Sequence, residues 1–156
     1  MFTIRKAKVK DAHKIAKLGA ALLKHHEKFD KYFSSAKGIE EIYKKLFRAA
    51  IYSPKSLLLI AEEKGKIIGY ALASIEKRPP VYKLRKIGNI SDAYIITAYR
   101  RLGITNQFIK RIFQWFKTKK IKNVELQVHI KNEISKAAWS KYGFRAYVER
   151  RRLKIK

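Results

Sequence analysis

Residues 87 to 130 hold two strand-like apolar runs with one amphipathic helical pattern between them. The runs are IGNISDAYII at residues 87–96 and VELQVHI at residues 124–130. From Leu102 to Phe116 the apolar residues recur three and four positions apart, which predicts a helix of about four turns. A strand–helix–strand crossover is right-handed and leaves its two strands parallel. The sheet is therefore predicted to contain a parallel pair, and we expect residues 87–96 to form a central strand.

The remaining apolar patterns predict antiparallel strands and further helices around this crossover. Residues 56–63 and 66–76 flank Lys64-Gly65 and predict a β-hairpin. The other expected elements are strands at residues 2–7 and 144–156 and helices that begin at Asp11, Gly38 and Glu133. The order β-α-α-β-β-β-α-β-α-β predicts a single α+β domain over residues 1–156. The domain should have three layers, with about four helices flanking a central sheet. The sheet should be mixed and mostly antiparallel, and its parallel pair comes from the crossover.

Two details of the predicted helices concern individual side chains. Asp11 stands just before the first helical pattern, where its carboxylate would cap the helix N-terminus. In the second helix, at residues 38–52, the apolar residues Ile42, Leu46 and Ala50 are spaced to face the core.

The chain has a strong excess of positive charge. Lys and Arg number 38 and Asp and Glu number 12, which gives a net charge of +26. A surface of this kind attracts polyanions, so nucleic acid, an anionic cofactor and acidic substrates are favoured partners. The alternative is a general adaptation for solubility or for a hot or salty habitat. The lysine- and arginine-rich runs at 117–122 and 150–156 are typical of solvated faces.

The same sequence argues against several kinds of site and location. No apolar run approaches the roughly 18 residues of a membrane span, so no membrane partner is expected. The chain has no cysteine, which excludes disulfides, thiolate nucleophiles and zinc–thiolate sites. The four histidines lack metal-ligand spacing, so no metal is predicted. A reducing cytoplasm is the natural location for such a chain.

Residues 99–105 form a turn between the first run of the crossover and its helix, and this turn could bind an anion. A helix that starts near Gly103 leaves its first amide groups without partners, and these donors and the helix dipole attract anions. Gly103 allows close approach because it has no side chain, and Arg100 and Arg101 add positive charge. The glycine spacings of dinucleotide-binding and Walker loops are absent. An ordinary basic loop is the alternative.

Three stretches of the chain share their spacing with one known family. RRLGIT at 100–105 follows a Q/R-x-x-G-x-G/A motif, and ISDAYI at 90–95 is like the strand that precedes that motif. NEISKAAWSKYGF at 132–144 is similar to an N-x-x-A-x-x-x-Y-x-K-x-G-F segment. Together with the element order, these stretches resemble the GNAT superfamily of acyl-CoA-dependent N-acetyltransferases over most of the chain. The resemblance implies the acyl-CoA N-acyltransferase fold, with acetyl-CoA as co-substrate.

The resemblance also implies a coenzyme A site at the turn and along the strand before it. Backbone amides of the turn would bind the pyrophosphate, and a bulge would separate the strand from residues 124–130 to open a cleft for the thioester. The implied cofactor-binding residues are Tyr94, Ile95, Ile96, Arg100, Arg101, Leu102, Gly103, Ile104, Thr105, Asn132 and Trp139. Two of them depart from the family pattern, since Thr105 replaces the last glycine or alanine and Arg101 stands where glycine is frequent.

Asp92 is the candidate base for acetyl transfer. It interrupts an apolar strand, where an unpaired carboxylate is costly and where burial would raise its pKa. An acidic residue at this position in relatives often binds or deprotonates the amine, and a structural pair with Lys or Arg is the alternative. Ser91 stands where many relatives carry a second acid, which argues against a strongly cationic substrate.

The tyrosine that usually serves as general acid in the family is missing. Seven residues after Asn132 the chain has Trp139, whose indole is not an acid at physiological pH. Tyr142 is the candidate substitute and Tyr94 a second one, or the thiolate leaves unassisted or through water. Trp139 is then expected to pack against the pantetheine arm or the core.

The acceptor side is expected near the end of the first helix, in HHEKFD at 25–30. Some relatives have a similar H-x-x-x-D spacing, which implies His26 and Asp30 as substrate-binding residues, with capping and solvation as alternatives. The predicted function is acetyl-CoA-dependent transfer of an acetyl group directly to a primary amine of a protein or a small molecule. The alternative is a catalytically weak acetyl-CoA-binding or nucleic-acid-associated basic module on the same fold. A homodimer paired through the C-terminal strand is also compatible with the sequence.

Overall fold

Up to residue 140, the strands and helices follow one another in the order that the apolar patterns predict. The computed structural model describes residues 1–155. Within them lie β1 (Thr3–Lys6), α1 (Ala12–Glu27), α2 (Ile39–Tyr52), β2 (Ser56–Glu63), β3 (Lys66–Lys77), β4 (Lys86–Ile95), α3 (Ile104–Thr118), β5 (Val124–Leu126) and α4 (Glu133–Ser140). Short 3₁₀ turns occur at Val9–Asp11, Lys31–Phe33 and Thr97–Tyr99. No helix in this described part of the chain has both the length and the apolar character needed to cross a membrane.

The strands form one sheet in chain order, β1-β2-β3-β4-β5. Neighbours from β1 to β4 pair antiparallel, and β4 pairs with β5 in parallel. The predicted mixed, mostly antiparallel sheet with a parallel crossover and four helices is therefore confirmed. β4 lies between β3 and β5, so it is an inner strand as expected, and the middle strand of the sheet is β3.

Side chains of β2 alternate between two hydrophobic cores, one on each side of the sheet. Leu57, Leu59 and Ala61 pack in the core that contains α3, whereas Leu58 and Ile60 pack in the core that contains α1 and α2. Because both sides are covered, most of β2 is apolar without a polar alternation. We call the two sides of the sheet the α3 face and the α1–α2 face.

The C-terminal part of the chain differs from the prediction. β5 covers only Val124–Leu126 instead of residues 124–130, and residues 144–155 contain no strand. The Glu125 carboxylate of β5 raises the pKa of Tyr147, so this segment passes near β5, but no ladder joins the two. The physical reason lies in β5 itself, because three residues of regular strand offer little backbone on which a neighbour could pair.

Asp11 precedes α1 without capping it. Its carboxylate accepts the backbone N–H of Lys8 at 2.7 Å and pairs with Arg5, also at 2.7 Å. Arg5 pairs with Glu62 of β2 as well, and the guanidinium holds the pKa of Asp11 below its ordinary value. The predicted cap is wrong because a buried carboxylate gains more from a charge-assisted bond with arginine than from the helix amides.

α2 buries a different stripe from the one predicted. Phe47 is 1% exposed, whereas Ile42 is 42% and Leu46 57% exposed. The rings of Tyr43 and Phe47 stack with centroids 5.3 Å apart, and Phe47 packs edge-on against Tyr70 of β3. These aromatic rings bury more apolar area than the aliphatic side chains would, which determines how α2 is rotated.

Candidate active site

β4 contains a bulge that sets the direction of Asp92. Ile90 and Asp92 pair with adjacent residues of β3, so Ser91 is an extra residue between them. Residues two apart on a regular strand share a face. Here Ile90 lies in the core of the α3 face, whereas Asp92 accepts a hydrogen bond from Tyr70, which lies in the core of the α1–α2 face. The bulge therefore turns the Asp92 carboxylate to the α1–α2 face.

The same bulge marks the point where β4 and β5 separate. Residues 88–90 pair with residues 124–126, and the parallel ladder ends there. Beyond it, Tyr94 and Ile95 still pair with β3, but β5 no longer covers their other side. The bulge that the family resemblance implied is thus present, and no ladder joins β4 to the chain that follows β5 beyond it. We call this unpaired side of β4 the cleft.

Asp92 is partly buried among tyrosine side chains. The Tyr70 hydroxyl donates a long hydrogen bond to Asp92 Oδ2 at 3.4 Å. Burial raises the pKa of Asp92, and the bond from Tyr70 offsets only part of that rise. Burial and the nearby Asp92 charge raise the pKa of Tyr43 to about 12 and that of Tyr70 well above its ordinary value. No Lys or Arg of the described chain pairs with Asp92, which favours a proton acceptor over a structural ion pair.

The turn after β4 leaves the N-terminus of α3 open. Gly103 directly precedes the helix with φ 81°, and no side chain in residues 1–155 caps α3. A Cβ on Gly103 would meet no atom within 4 Å, so the space beside Gly103 is open. Arg101 is exposed with φ 65°, and Arg100 folds back so that its Nε donates to the carbonyl of Ile95 at 3.0 Å. Free amides, open space and two cations together suit an anion.

The other predicted residues of the turn divide between core and surface. Ile104 is 1% exposed and anchors the start of α3 in the core, whereas Leu102 is exposed and Thr105 is half-buried. Arg100 also lies over the ring of Tyr94, with 6.0 Å between its Cζ and the ring centroid. The turn is therefore anchored in the core at Ile104, and its accessible side carries both arginines and the exposed Leu102.

The residues predicted on α4 lie on the α3 face. Asn132 is buried, and its Oδ1 caps α4 by accepting a backbone N–H from the first turn at 3.1 Å. Trp139 packs against Tyr142 and Phe144, with ring centroids 6.1 and 5.5 Å away, and all three adjoin the core. The core is one of the two places predicted for Trp139, and its ring is partly buried against that core. Tyr142 is not brought beside Asp92, because the two side chains lie on opposite faces of the sheet.

His26 and Asp30 belong to a cluster of aromatic and histidine side chains at the end of α1. His129, on the chain that follows β5, stacks on Phe29 with ring centroids 5.7 Å apart and meets Phe33 edge-on at 5.9 Å. Burial lowers the pKa of His26, and the neighbouring histidines lower it further. The cluster thus joins the end of α1 to the β5 side of the cleft.

Asp30 has protein partners within this cluster. It accepts the backbone N–H of Tyr32 at 3.0 Å and pairs with Arg152 at 2.7 Å, and His129 Nε2 lies 3.9 Å away. The guanidinium of Arg152 also lies over the Tyr32 ring, 4.2 Å from its centroid. The capping alternative for Asp30 is therefore observed, and its carboxylate ties the C-terminal segment to the end of α1.

A comparison with protein families shows which family has this arrangement of strands and helices. A family model described as the acetyltransferase (GNAT) family matches residues 18–144. The chain belongs to the GNAT family. A search of curated proteins gave no significant match. In the described residues, no group of three His, Asp or Glu side chains is placed to hold a metal ion.

Solved structures show the GNAT fold over the whole chain. A tetramutant of the BH1408 protein from Bacillus halodurans is 26% identical, with a TM-score of 0.86 over 98% of this chain and 99% of that chain. A predicted acetyltransferase with acetyl-CoA from Clostridium acetobutylicum is 23% identical, with a TM-score of 0.77 over 99% and 96% of the two chains. The aminoglycoside 6'-N-acetyltransferase AAC(6')-Ih from Acinetobacter baumannii is 17% identical, with a TM-score of 0.78 over 100% and 99%. The last two likenesses support the fold alone.

Several residues at this GNAT site were missed by sequence reasoning. Tyr43 and Tyr70 surround Asp92, and Phe29 and Phe33 surround His129. The two tyrosines come from α2 and β3, and only the tertiary arrangement shows that they meet β4. Phe29 and Phe33 lie close to the predicted His26 in sequence, so the aromatic density of residues 25–33 was the available signal.

Proposed function

We propose that this protein is an N-acetyltransferase that uses acetyl-CoA and transfers the acetyl group directly to a primary amine. The observation that carries the proposal is the bulge at Ser91, which separates β4 from β5 and sets the Asp92 carboxylate beside the cleft. Membership of the GNAT family supports acetyl transfer. The Clostridium acetobutylicum structure, which contains acetyl-CoA, supports the choice of donor.

The open turn at the start of α3 fits the pyrophosphate of coenzyme A. Its free amides follow Gly103, beside which the space is open, and Arg100 and Arg101 supply positive charge. The free side of β4 at Tyr94 and Ile95 fits the pantetheine arm, whose amides can pair with backbone groups that β5 leaves unused. We assign backbone or packing contacts with the same cofactor to Ile96, Leu102, Ile104, Thr105, Asn132 and Trp139.

Asp92 acts as the proton acceptor in this proposal. Bound acetyl-CoA would supply a thioester whose C–S bond is replaced by a C–N bond, with release of the thiol. Asp92 takes a proton from the incoming ammonium, and its raised pKa brings its basicity closer to neutral pH. The Tyr70 hydroxyl donates a long hydrogen bond to Oδ2, which favours one orientation of the carboxylate. The cleft holds the amine close to the donor, which is the larger part of the rate gain.

Two further roles complete the proposal. Tyr142 is the candidate acid for the leaving thiolate because its phenol is protonated at neutral pH, although burial raises its pKa and makes it a weaker acid; a water route is the alternative. His26 contacts the acceptor. Asp30, which is already paired with Arg152, acts by holding the C-terminal segment in place.

Asp92→Asn tests the assignment of the base. Loss of a general base lowers turnover by about 100- to 10,000-fold, whereas the Kd for acetyl-CoA is expected to stay within about twofold. Turnover is followed by thiol release with a panel of amines, and binding by calorimetry. Ser91→Ala, a change in the same bulge that removes no charge, is the matched control and keeps turnover within a few-fold. Unchanged turnover in Asp92→Asn contradicts the base role.

A catalytically weak acetyl-CoA-binding module is the second candidate. The observation that favours it is Trp139, which packs against Phe144 at the position where relatives carry an acidic tyrosine. Acetyl-CoA binding without turnover across a broad amine panel would favour this module. Absence of acetyl-CoA binding would contradict both candidates.

A further inference from the structure

The outward face of α3 is entirely polar and contains no acid. Its exposed residues are Asn106, Gln107, Lys110, Arg111, Gln114, Lys117 and Thr118. Three are cations, three are amides and one is a hydroxyl. The opposite side of the helix carries Ile104, Phe108, Ile112 and Phe116, each 1% exposed or less, so this polar face points away from the sheet.

Positive charge continues beyond the end of α3. Lys119, Lys120 and Lys122 are exposed in the turn that leads to β5. With Lys110, Arg111 and Lys117 they are six exposed cations of α3 and the turn after it, and we call this set the α3 basic surface. Residues 93–124 contain no Asp or Glu.

The acidic residues of the chain make their ion pairs elsewhere. In residues 1–155, the ion pairs of Asp and Glu all use partners outside the α3 basic surface, such as Arg5, Lys44, Lys136 and Arg152. The six cations are therefore not neutralised by ion pairs in this part of the chain. Uncompensated charge of one sign on one face attracts a polyanion more strongly than the same charge spread over the molecule.

From this arrangement we propose that the α3 basic surface binds the phosphate backbone of duplex DNA. α3 has 15 residues, which corresponds to roughly 22 Å of helix. The major groove of B-DNA admits an α-helix, whereas the major groove of duplex RNA is too deep and narrow for one. The lysines and Arg111 contact phosphates, and Gln107 and Gln114 are amides of the kind that reach base edges.

Two features separate this surface from other nucleic-acid sites and from the acetyl-transfer site. No aromatic side chain lies among its exposed residues, so it lacks the stacking platform of single-strand binders. The anion-binding turn lies at the N-terminal end of α3, and the cations concentrate toward the C-terminal end. The proposed DNA surface is thus separate from the proposed acetyl-transfer site.

The test compares two variants that lose equal charge. One carries Lys110→Gln, Arg111→Gln, Lys117→Gln and Lys120→Gln. The matched control carries Lys14→Gln, Lys17→Gln, Lys45→Gln and Arg48→Gln, four exposed cations of α1 and α2 on the other side of the sheet. Fluorescence anisotropy with a labelled 20-base-pair DNA duplex gives the affinity between 50 and 200 mM salt. The single strand and an RNA duplex of the same sequence are measured alongside.

The wild-type chain is expected to bind the DNA duplex with an affinity that falls steeply with salt. Each lost phosphate contact reduces the magnitude of the slope of log K against log salt by about 0.9. The slope of the α3 variant should therefore be smaller in magnitude by about 3 to 4. Its affinity for the DNA duplex should be about 100-fold weaker, or more, at 0.1 M salt. The control should lose far less. Calorimetry should show the same acetyl-CoA affinity in the α3 variant as in the wild type.

Three results would overturn the proposal. They are equal losses in both variants, tighter binding of the RNA duplex or the single strand, and no DNA binding by the wild type at 0.1 M salt. Thermal unfolding of both variants establishes that they are folded.

Discussion

Gly103→Ala separates cofactor binding from folding. Gly103 has φ 81°, and a Cβ there would meet no atom within 4 Å, so the cost of alanine is backbone strain without a clash. A left-handed conformation costs an L-residue roughly 1–2 kcal/mol, and reduced freedom of the unfolded chain returns part of it. We expect a net loss of about 1 kcal/mol and a Tm lower by roughly 2–4 °C.

Gly65→Ala is the matched control. Gly65 lies in the β2–β3 turn with φ 76°, and a Cβ there would also meet no atom within 4 Å, so its strain should be equal. Only Gly103 precedes the amides that are proposed to hold pyrophosphate. We expect Gly103→Ala to lose one hydrogen bond between these amides and the pyrophosphate. Such a loss costs about 1.5–3 kcal/mol and weakens acetyl-CoA binding by about 10- to 150-fold.

Calorimetry with acetyl-CoA and thermal unfolding of both variants give the result. The expected pattern is a similar loss of stability in both and a loss of acetyl-CoA affinity in Gly103→Ala alone. If Gly103→Ala binds acetyl-CoA as tightly as Gly65→Ala does, the pyrophosphate does not use this turn.

The remaining predictions concern pH and packing. Because the base must be unprotonated and the pKa of Asp92 is raised, kcat/KM should fall as the pH drops through that raised value, and Asp92→Asn should lack this acid limb in a pH–rate profile. Asp11→Asn should lower the free energy of unfolding by about 2 kcal/mol at neutral pH. The pKa of Asp11 is lowered in the fold, so denaturant titrations should show this difference disappearing as the pH falls through the lowered value, and a difference that persists in acid would contradict it. Gly88→Ala would place Cβ 2.6 Å from the Phe116 ring, and calorimetric unfolding should show a loss of about 1–3 kcal/mol; an unchanged Tm would contradict that packing.

Local patterns were sufficient for most of the fold. The apolar runs of β2 and β3 and the spacing of Phe108, Ile112 and Phe116 in α3 reflect burial that each segment experiences whatever its neighbours are. The rotation of α2 was not predictable in this way. Ile42 and Phe47 lie on two different apolar stripes of α2, and the sequence of the helix does not show which stripe is buried. The contact of Phe47 with Tyr70 of β3 selects the Phe47 stripe, and that contact exists only once the sheet has formed.

The candidate site was predictable in part. The turn at Gly103 follows from a glycine between an apolar run and a helical pattern, and Asp92 stood out as a carboxylate in an apolar strand. The direction of Asp92 depends on how β4 pairs with β3, which no short stretch of sequence contains. For the same reason, the ion pair of Asp30 with Arg152 joins residues 122 positions apart and was not foreseen.

The bulge at Ser91 changes which residue numbers of β4 face each side of the sheet. Ser91 has no place in the pairing with β3, so the even-numbered Ile90 and Asp92 face opposite sides, whereas on a regular strand they would share one. Deletion of Ser91 would make Ile90 and Asp92 direct neighbours, which still point to opposite faces on a regular strand. The carboxylate would keep its direction, but the kink that ends the ladder with β5 would be lost. A one-residue deletion should therefore close the cleft while leaving the base in place, which no substitution at this position can do.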